Sequence, residues 1–249
     1  MEIPKYVTLW PGGNTTAIVT DEVPREDHAR IAQEIMASNK EIEQVGYMEH
    51  PLNEDAACRL QMMGGEFCMN ATRSAAYFYA KEHGLNKLQV EASGSNKLID
   101  VEIEGDTTHI TLPGEFYLKS TQKNTYSVID LSGIRHLIVK GAFDEATARA
   151  LVEENKDDYE AVGVMYTHIE GENIEIDPLV WVREPNTFVR ETGCGSGSIA
   201  AAIAAHQKDP TRVRFSVKQP SGEAYTITLS PKDLGFKEIK LSGIVKIQN

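Results

Sequence analysis

ETGCGSGSIAAAIAAH, residues 191–206, reads as a helix with almost no polar face. From Ser198 to Ala205, alanine and isoleucine succeed one another without a charged or amide side chain. A helix that is apolar all round must be buried on every side. Much of the remaining chain alternates or is β-branched. The arrangement that satisfies both is a strand-rich sheet curled around one central helix. Cys194 stands at the first turn of this helix, between glycines that remove side chains from the turn.

A second segment repeats the pattern. In GGEFCMNATRSAAYFYA, residues 64–80, Cys68 precedes an Ala-rich helical run that extends to about Glu82, with Gly84 as its stop. Two further helices are predicted, PREDHARIAQEIMAS (24–38) and DEATARALVEENKDD (144–158). KYVTLW, TTAIVT, KLQVEAS, KLIDVEIEG, THITL, HLIVK, AVGVMYTHIE, TRVRFSVKQ, AYTITLS and IKLSGIVKI read as strands. The order strand, helix, strand, Cys-helix, strand then occurs twice. Setting Ala17–Val19 over Leu137–Val139, 120 residues apart, matches VTDEVPREDHARIAQEI to VKGAFDEATARALVEEN. The two cysteines are 126 residues apart, Cys68 to Cys194. An internal repeat of half the chain predicts two similar domains, 1–118 and 119–249, with the last strand free to return to the first. The join is expected near GEFYLKSTQKN (114–124), where polar residues cluster.

The 249 residues carry a formal net charge of −12. Such a surface repels nucleic acid and anionic membranes. No apolar run reaches membrane-span length, and MEIPKYVTLW lacks a signal-peptide pattern, so a cytoplasmic location is expected. There are three cysteines, Cys58, Cys68 and Cys194, with no CxxC pair and no His at ligand spacing. Neither a disulfide framework nor a metal site is expected. The CGSGS turn lacks the Lys of a P-loop and the spacing of a dinucleotide site, so no cofactor is expected.

Cys58, within EDAACRLQMM, reads as a small buried hydrophobe. Cys68 and Cys194 differ because each opens a helix. The unpaired N–H groups and positive dipole end there favour a negative charge, and they predict a lowered thiol pKa. Gly195 and Gly197 let an anionic group approach the backbone donors; Asn70, Thr72 and Asn14 are further candidate donors. Two such domains facing each other would bring both helix starts to one substrate carboxylate, with a thiol on either side of its α-carbon. One thiolate would remove the α-proton and the other thiol would reprotonate the opposite face. His136, beside a predicted buried strand, is either a cleft residue or a core histidine.

These motifs resemble those of the diaminopimelate epimerase family. GGEFCMNATRSAA is similar to its E-x-x-C-G-N-G-A-R-C, and ETGCGSGSIAAA to its E-T-x-x-C-G-T-G-A-C-A. PGGNTTAIV resembles its G-x-G-N-D-F, and LSGIRHLIV lies where the family has G-N-P-H. The resemblance covers essentially the whole chain. It implies two pseudo-symmetric α/β domains, no cofactor, catalysis by Cys68 and Cys194, and substrate contacts from Asn14, Asn70, Gly195 and Ser196. Met69 replaces a family glycine, the second motif is one residue shorter between Glu191-Thr192 and Cys194, and Glu184-Pro185-Asn186 stands where the family has E-R-G. Loss of that arginine removes the obvious grip on a second carboxylate. The pattern is more similar to cofactor-independent amino-acid racemases, including histidine racemases that feed opine metallophore synthesis. Met69, Glu184, Glu191 and Thr192 complete the expected binding set. The expected partners are a small-molecule amino acid and a second copy of the chain as a homodimer. Two alternatives are a diaminopimelate epimerase, gripping its substrate through Arg183 or Arg190, and a non-catalytic amino-acid-binding protein. A phenazine-type isomerase of similar fold is disfavoured, because that resemblance lacks the two cysteines.

Overall fold

The computed structural model describes residues 3–183 and 186–248. The chain forms two compact units. One takes the chain up to Ile110 and again from Gly243; the other is Thr111–Ser242.

The first unit contains β1 (Tyr6–Trp10), β2 (Thr16–Val19), α1 (His28–Ser38), β3 (Gln44–Glu49), β4 (Cys58–Met62), α2 (Met69–His83), β5 (Lys87–Ala92), β6 (Ile99–Glu104), the start of β7 (Thr107–Pro113) and β17 (Lys246–Gln248). β1 runs antiparallel to β2 and to β17. The α1 crossover makes β2 and β3 parallel, and the α2 crossover does the same for β4 and β5. β3 with β4 and β5 with β6 are antiparallel.

The second unit contains β8 (Tyr117–Gln122), β9 (Tyr126–Leu131), β10 (Ile134–Lys140), α3 (Glu145–Asn155), β11 (Ala161–Glu170), β12 (Asn173–Val182), β13 (Thr187–Arg190), α4 (Gly195–Lys208), β14 (Arg214–Lys218), β15 (Ala224–Pro231) and most of β16 (Phe236–Ile244). β9 and β10 are antiparallel, β10 and β11 parallel across α3, β11 and β12 antiparallel, β12 and β14 parallel across α4. This is the order of the first unit, with β13 added. The last strand of each series goes to the other unit: β8 pairs with β9, and β17 with β1.

Burial explains the helices. Every residue of α4 from Gly195 to Ala205 is buried, with Ile199 and Ile203 at 0 % exposure. In α2, Met69–Tyr77 and Ala80 are buried, and Gly84 closes the helix in the left-handed region at φ 66°. Ala71, Ala75 and Tyr77 pack with Leu9, Ile18, Leu60, Met62 and Val245. Strands such as β15 alternate buried and open positions, as one-sided packing requires.

Four details differ from the sequence reading. α1 begins at His28 rather than Pro24, after a 3-10 turn over Arg25–Asp27; the Asp27 carboxylate binds Arg30 at 2.8 Å and caps no helix N–H. The first-layer helices register 117 residues apart, Asp27 to Asp144, rather than 120; Ile31 and Ile35 thus match buried Ala148 and Val152. Polar segment 114–124 contains the strand β8, whose side chains are mostly open; the passage between units falls at 110/111 instead of 118/119. β12 contains Pro178, a residue that argues against a strand. It is accommodated because β14 pairs with Asn173–Glu175 and β13 with Leu179–Val182, leaving Pro178 between the two partners.

Candidate active site

In the first unit Cys68 is the N-cap of α2, in extended backbone at φ −120° and ψ 115°. The Ala71 N–H donates to its Sγ at 3.5 Å, and the Thr72 hydroxyl donates to its carbonyl at 2.7 Å. The thiol donates to Gln44 Oε1 at 2.9 Å. Gln44 Nε2 donates to Thr16 Oγ1 at 2.7 Å, and that hydroxyl donates to the Asn14 carbonyl at 2.9 Å. Asn14 adopts φ 58°, following Gly12 and Gly13 at positive φ, so the PGGN turn bends its carbonyl toward Thr16. Arg73 is fully buried. It donates to Thr108 Oγ1, to the Pro11 and Ile244 carbonyls, and to Asn70 Oδ1 at 3.2 Å. With its oxygen held by Arg73, the other end of the Asn70 amide is a donor. Met69 is buried beside it at 2 % exposure.

The second unit repeats this construction. Cys194 caps α4 at φ −129° and ψ 108°; the Gly197 N–H donates to its Sγ at 3.4 Å, and the Ser198 hydroxyl donates to its carbonyl at 2.6 Å. Gln219 accepts from the Cys194 N–H at 2.9 Å and donates to Ser198 Oγ at 2.9 Å, which fixes its amide orientation. Ser196 Oγ lies 3.8 Å from Cys194 Sγ and 2.9 Å from His136 Nε2. His136 is entirely buried, and its Nδ1 has no partner among the described residues. An orphaned buried N–H is rarer than an unused acceptor, so the proton belongs on Nε2. Nε2 then donates to Ser196, whose own proton turns to the Cys194 sulfur.

Burial pushes the His136 pKa down to about 3, so the ring is neutral. This sets a stability signature. The unfolded histidine binds a proton below about pH 6.5, whereas the folded one does so only near 3. The His136 contribution is therefore complete above pH 6.5 and falls by about 1.4 kcal/mol per pH unit below it. Urea unfolding at pH 7 and pH 4.5 should show His136→Gln with a distinctly flatter acid loss than the parent.

Cys194 departs from the sequence expectation of a lowered pKa. Burial raises it well above the ordinary thiol value, and the Glu191 carboxylate adds to this by its charge and by accepting the thiol hydrogen bond. These outweigh the Gly197 N–H and the Ser196 hydroxyl, which act the other way. Cys194 rests as a thiol against a carboxylate. β13 has no counterpart in the first unit, and it delivers Glu191 to this place; the Glu191 N–H donates to the Pro178 carbonyl at 3.2 Å. Thr192 accepts from the Ser221 N–H at 2.9 Å, holding the turn into α4.

Gly197 is required by close approach. A Cβ there would lie 2.2 Å from Met165 Sδ and 3.0 Å from Cys194 Sγ. Gly163, opposite His136 in the β10–β11 register, likewise makes room for that ring: its Cβ would lie 2.5 Å from Nδ1. Gly197→Ala should therefore displace the first turn of α4 and reduce kcat/KM by about 10²-fold, the cost of misplacing a site by roughly 1 Å. Adding Met165→Ala should restore part of it; steady-state kinetics on the single and double variants checks this.

The remaining expected residues divide clearly. Gly195 and Ser196 are buried in the first turn of α4. Glu184 lies outside the described residues. Arg190 is paired with Asp177 at 2.6 Å and stacks over Phe143, while Arg183 donates to the carbonyls of Lys156, Asp157 and Tyr159. Among the described residues, no group of three or more His, Cys, Asp or Glu side chains could hold a metal ion. Gln44 and Gln219 were not singled out in the sequence, where each is one polar residue at a strand end.

The profile of the family described as "Histidine racemase CntK N-terminal domain" matches residues 3–249. A histidine racemase of Fusobacterium nucleatum is 27 % identical over 242 residues, covering 89 % of this chain and 88 % of its own. One from Staphylococcus aureus is 26 % identical over 245 residues, covering 91 % and 89 %. Among solved structures, a PhzF-family phenazine biosynthesis protein from Bacillus anthracis superposes with a TM-score of 0.68 at 14 % identity, covering 100 % of this chain and 98 % of that one. A probable proline racemase from Agrobacterium radiobacter gives 0.65 at 12 %, covering 98 % and 91 %. These two are likenesses of fold, and that shared fold is the diaminopimelate epimerase-like α/β architecture.

Proposed function

This chain belongs to the histidine racemase CntK N-terminal domain family, and from that premise we propose that it inverts histidine at Cα with two cysteines and no cofactor. It is an isomerase of the amino-acid racemase class, acting on a small molecule. The observation that carries the two-cysteine reading is the duplication of one local construction. Each repeat starts its central helix with a cysteine N-cap whose sulfur accepts from the N–H three residues on.

In the proposed reaction one cysteine, as thiolate, removes the Cα proton. The other, as thiol, delivers its proton to the opposite face. In each repeat the first-turn N–H groups, with Asn14 and Asn70 in one and Gly195 and Ser196 in the other, are the donors this reading assigns to the substrate carboxylate. Those donors stabilise the charge that moves onto the carboxylate as Cα becomes planar. Each turnover exchanges the protonation states of the two sulfurs. Burial and the Glu191 carboxylate hold Cys194 as the thiol, the form that delivers a proton to Cα. Histidine is favoured over diaminopimelate because Arg183 and Arg190, the two arginines considered for a second carboxylate, are occupied by carbonyls and by Asp177.

Incubating a panel of amino acids in D₂O tests the reading. L-Histidine should yield D-histidine carrying one deuterium at Cα, faster than diaminopimelate exchanges, and EDTA or hydroxylamine should leave the rate unchanged. A preference for diaminopimelate, or loss of turnover with chelator, would overturn it.

A further inference from the structure

We propose that Thr16 and Gln44 form a two-state hydrogen-bond relay that follows the protonation of Cys68 and supports both its thiol and its thiolate. The inference rests on the reading of Cys68 as one of the two acid–base groups, and it assigns positioning roles to Gln44 and Thr16.

The structure shows one of the two states. Three donors point the same way: Cys68 S–H to Gln44 Oε1, Gln44 N–H to Thr16 Oγ1, and Thr16 O–H to the Asn14 carbonyl, at 2.9, 2.7 and 2.9 Å. This direction suits a thiol. Once Cys68 has given its proton to the substrate carbon, a sulfur anion would face a carbonyl oxygen, with no proton between them. Gln44 is 7 % exposed and Thr16 0 %, so a mismatched group there is costly.

The repair needs no change of packing. The terminal amide of glutamine has nearly the same shape after a half-turn about its last torsion, which is broad and roughly two-fold. After the half-turn Nε2 donates to the thiolate, and Oε1 faces Thr16. Thr16 then turns its proton from Asn14 to Gln44, which a hydroxyl can do because it both donates and accepts. No proton changes heavy atom in the relay; the only proton transferred is the one between Cys68 and Cα. A racemase needs this symmetry. With one enantiomer Cys68 begins as thiolate, and with the other as thiol. A fixed acceptor or a fixed donor beside the sulfur would favour one of those beginnings.

The charged groups on α2 and around it include Arg73, Lys81 and Glu82 on the helix itself, Glu43 and Glu66 in the adjoining segments, the Glu49–Arg59–Glu91 cluster on β3, β4 and β5, the Lys87–Glu102 pair on β5 and β6, and Asp106, which accepts from Tyr77. The variants below leave them all in place.

The test uses the full chain carrying Cys58→Ala and Cys194→Ser, so that Cys68 is its only thiol. Its iodoacetamide alkylation rate is followed against pH, with Gln44→Glu and Thr16→Ser added singly. Gln44→Glu keeps the shape and, when ionised, can only accept, so alkylation at pH 8 should fall at least tenfold and its midpoint should rise by more than one pH unit. Thr16→Ser keeps the hydroxyl and should follow the parent profile. In the otherwise native chain, Thr16→Val should lower kcat/KM about tenfold, and Thr16→Ser should retain most of it. Superimposable alkylation profiles for Gln44→Glu and its parent, or a fully active Thr16→Val, would overturn the relay. A shifted profile in a protein that racemises no amino acid would leave the relay standing and remove the reaction assigned to the site.

Discussion

Cys68→Ser and Cys194→Ser should each lose about 10³-fold in kcat/KM, the range in which positioned acid–base groups act. Serine keeps the shape of the helix cap and can accept from Ala71 or Gly197 N–H as the sulfur does. Its hydroxyl is far too weak an acid to serve as base near neutrality. The two losses should be alike, because net inversion needs both groups. Their exchange behaviour should differ. With one sulfur left, Cα–H exchange in D₂O should persist weakly from one enantiomer only, and from the opposite enantiomer in the other variant. Cys58→Ser is the control. Burial in β4 pushes that thiol up to about 12, and its loss should leave turnover within a few-fold of the parent. Near-native racemisation by either of the first two variants would end the two-thiol mechanism.

Arg73→Met should be the most destabilising single change in the first unit, by roughly 3–5 kcal/mol. The guanidinium is fully buried and joins four separate places: the PGGN turn at Pro11, Asn70, Thr108 and the returning segment at Ile244. A methionine fills similar volume but removes the donor to two backbone carbonyls, the Thr108 hydroxyl and the Asn70 amide oxygen. At about 2–4 °C per kcal/mol for a chain of this size, the thermal midpoint should fall by roughly 10 °C. Arg73→Lys should recover only part of this, since an ammonium lacks the fork that reaches several acceptors at once. A midpoint unchanged in Arg73→Met would refute the clamp.

The elements legible in the sequence were those whose signal is local. The α4 segment declared itself by having no polar face, α2 by Gly84, and both cysteine caps by their place before apolar helices. The strands β3, β4, β8, β9, β12 and β13 were missed. QVGYME and CRLQM are short, and NIEIDPLVWV carries a proline whose tolerance depends on where two neighbouring strands stop and start. The repeat was visible, but its helix register was three residues off, because the strand match chosen to align it was not the one that the helices obey. The N-cap places of Cys68 and Cys194 could be read from spacing. Gln44, Gln219 and the His136–Ser196 contact could not, because each comes from a distant strand end and its partner is set by tertiary packing. The pKa of Cys194 went the other way for the same reason: a helix N-terminus is a local feature, whereas burial and Glu191 are not.

The exchange of the last strands, β8 to the second unit and β17 to the first, has a consequence for synthesis. A chain emerging from the ribosome makes most of the first unit at once but cannot close it. β1 waits for β17, and Arg73 waits for the carbonyl of Ile244. Between Ile110 and Gly243 stand the 132 residues of Thr111–Ser242, about 7 to 26 s of translation at roughly 5–20 residues per second. The second unit, continuous in the chain, can finish in one passage. The half that begins first is therefore completed last, and until then it carries an open sheet edge and an unfinished arginine site, which makes the nascent first unit the stage most exposed to mispairing and to chaperones.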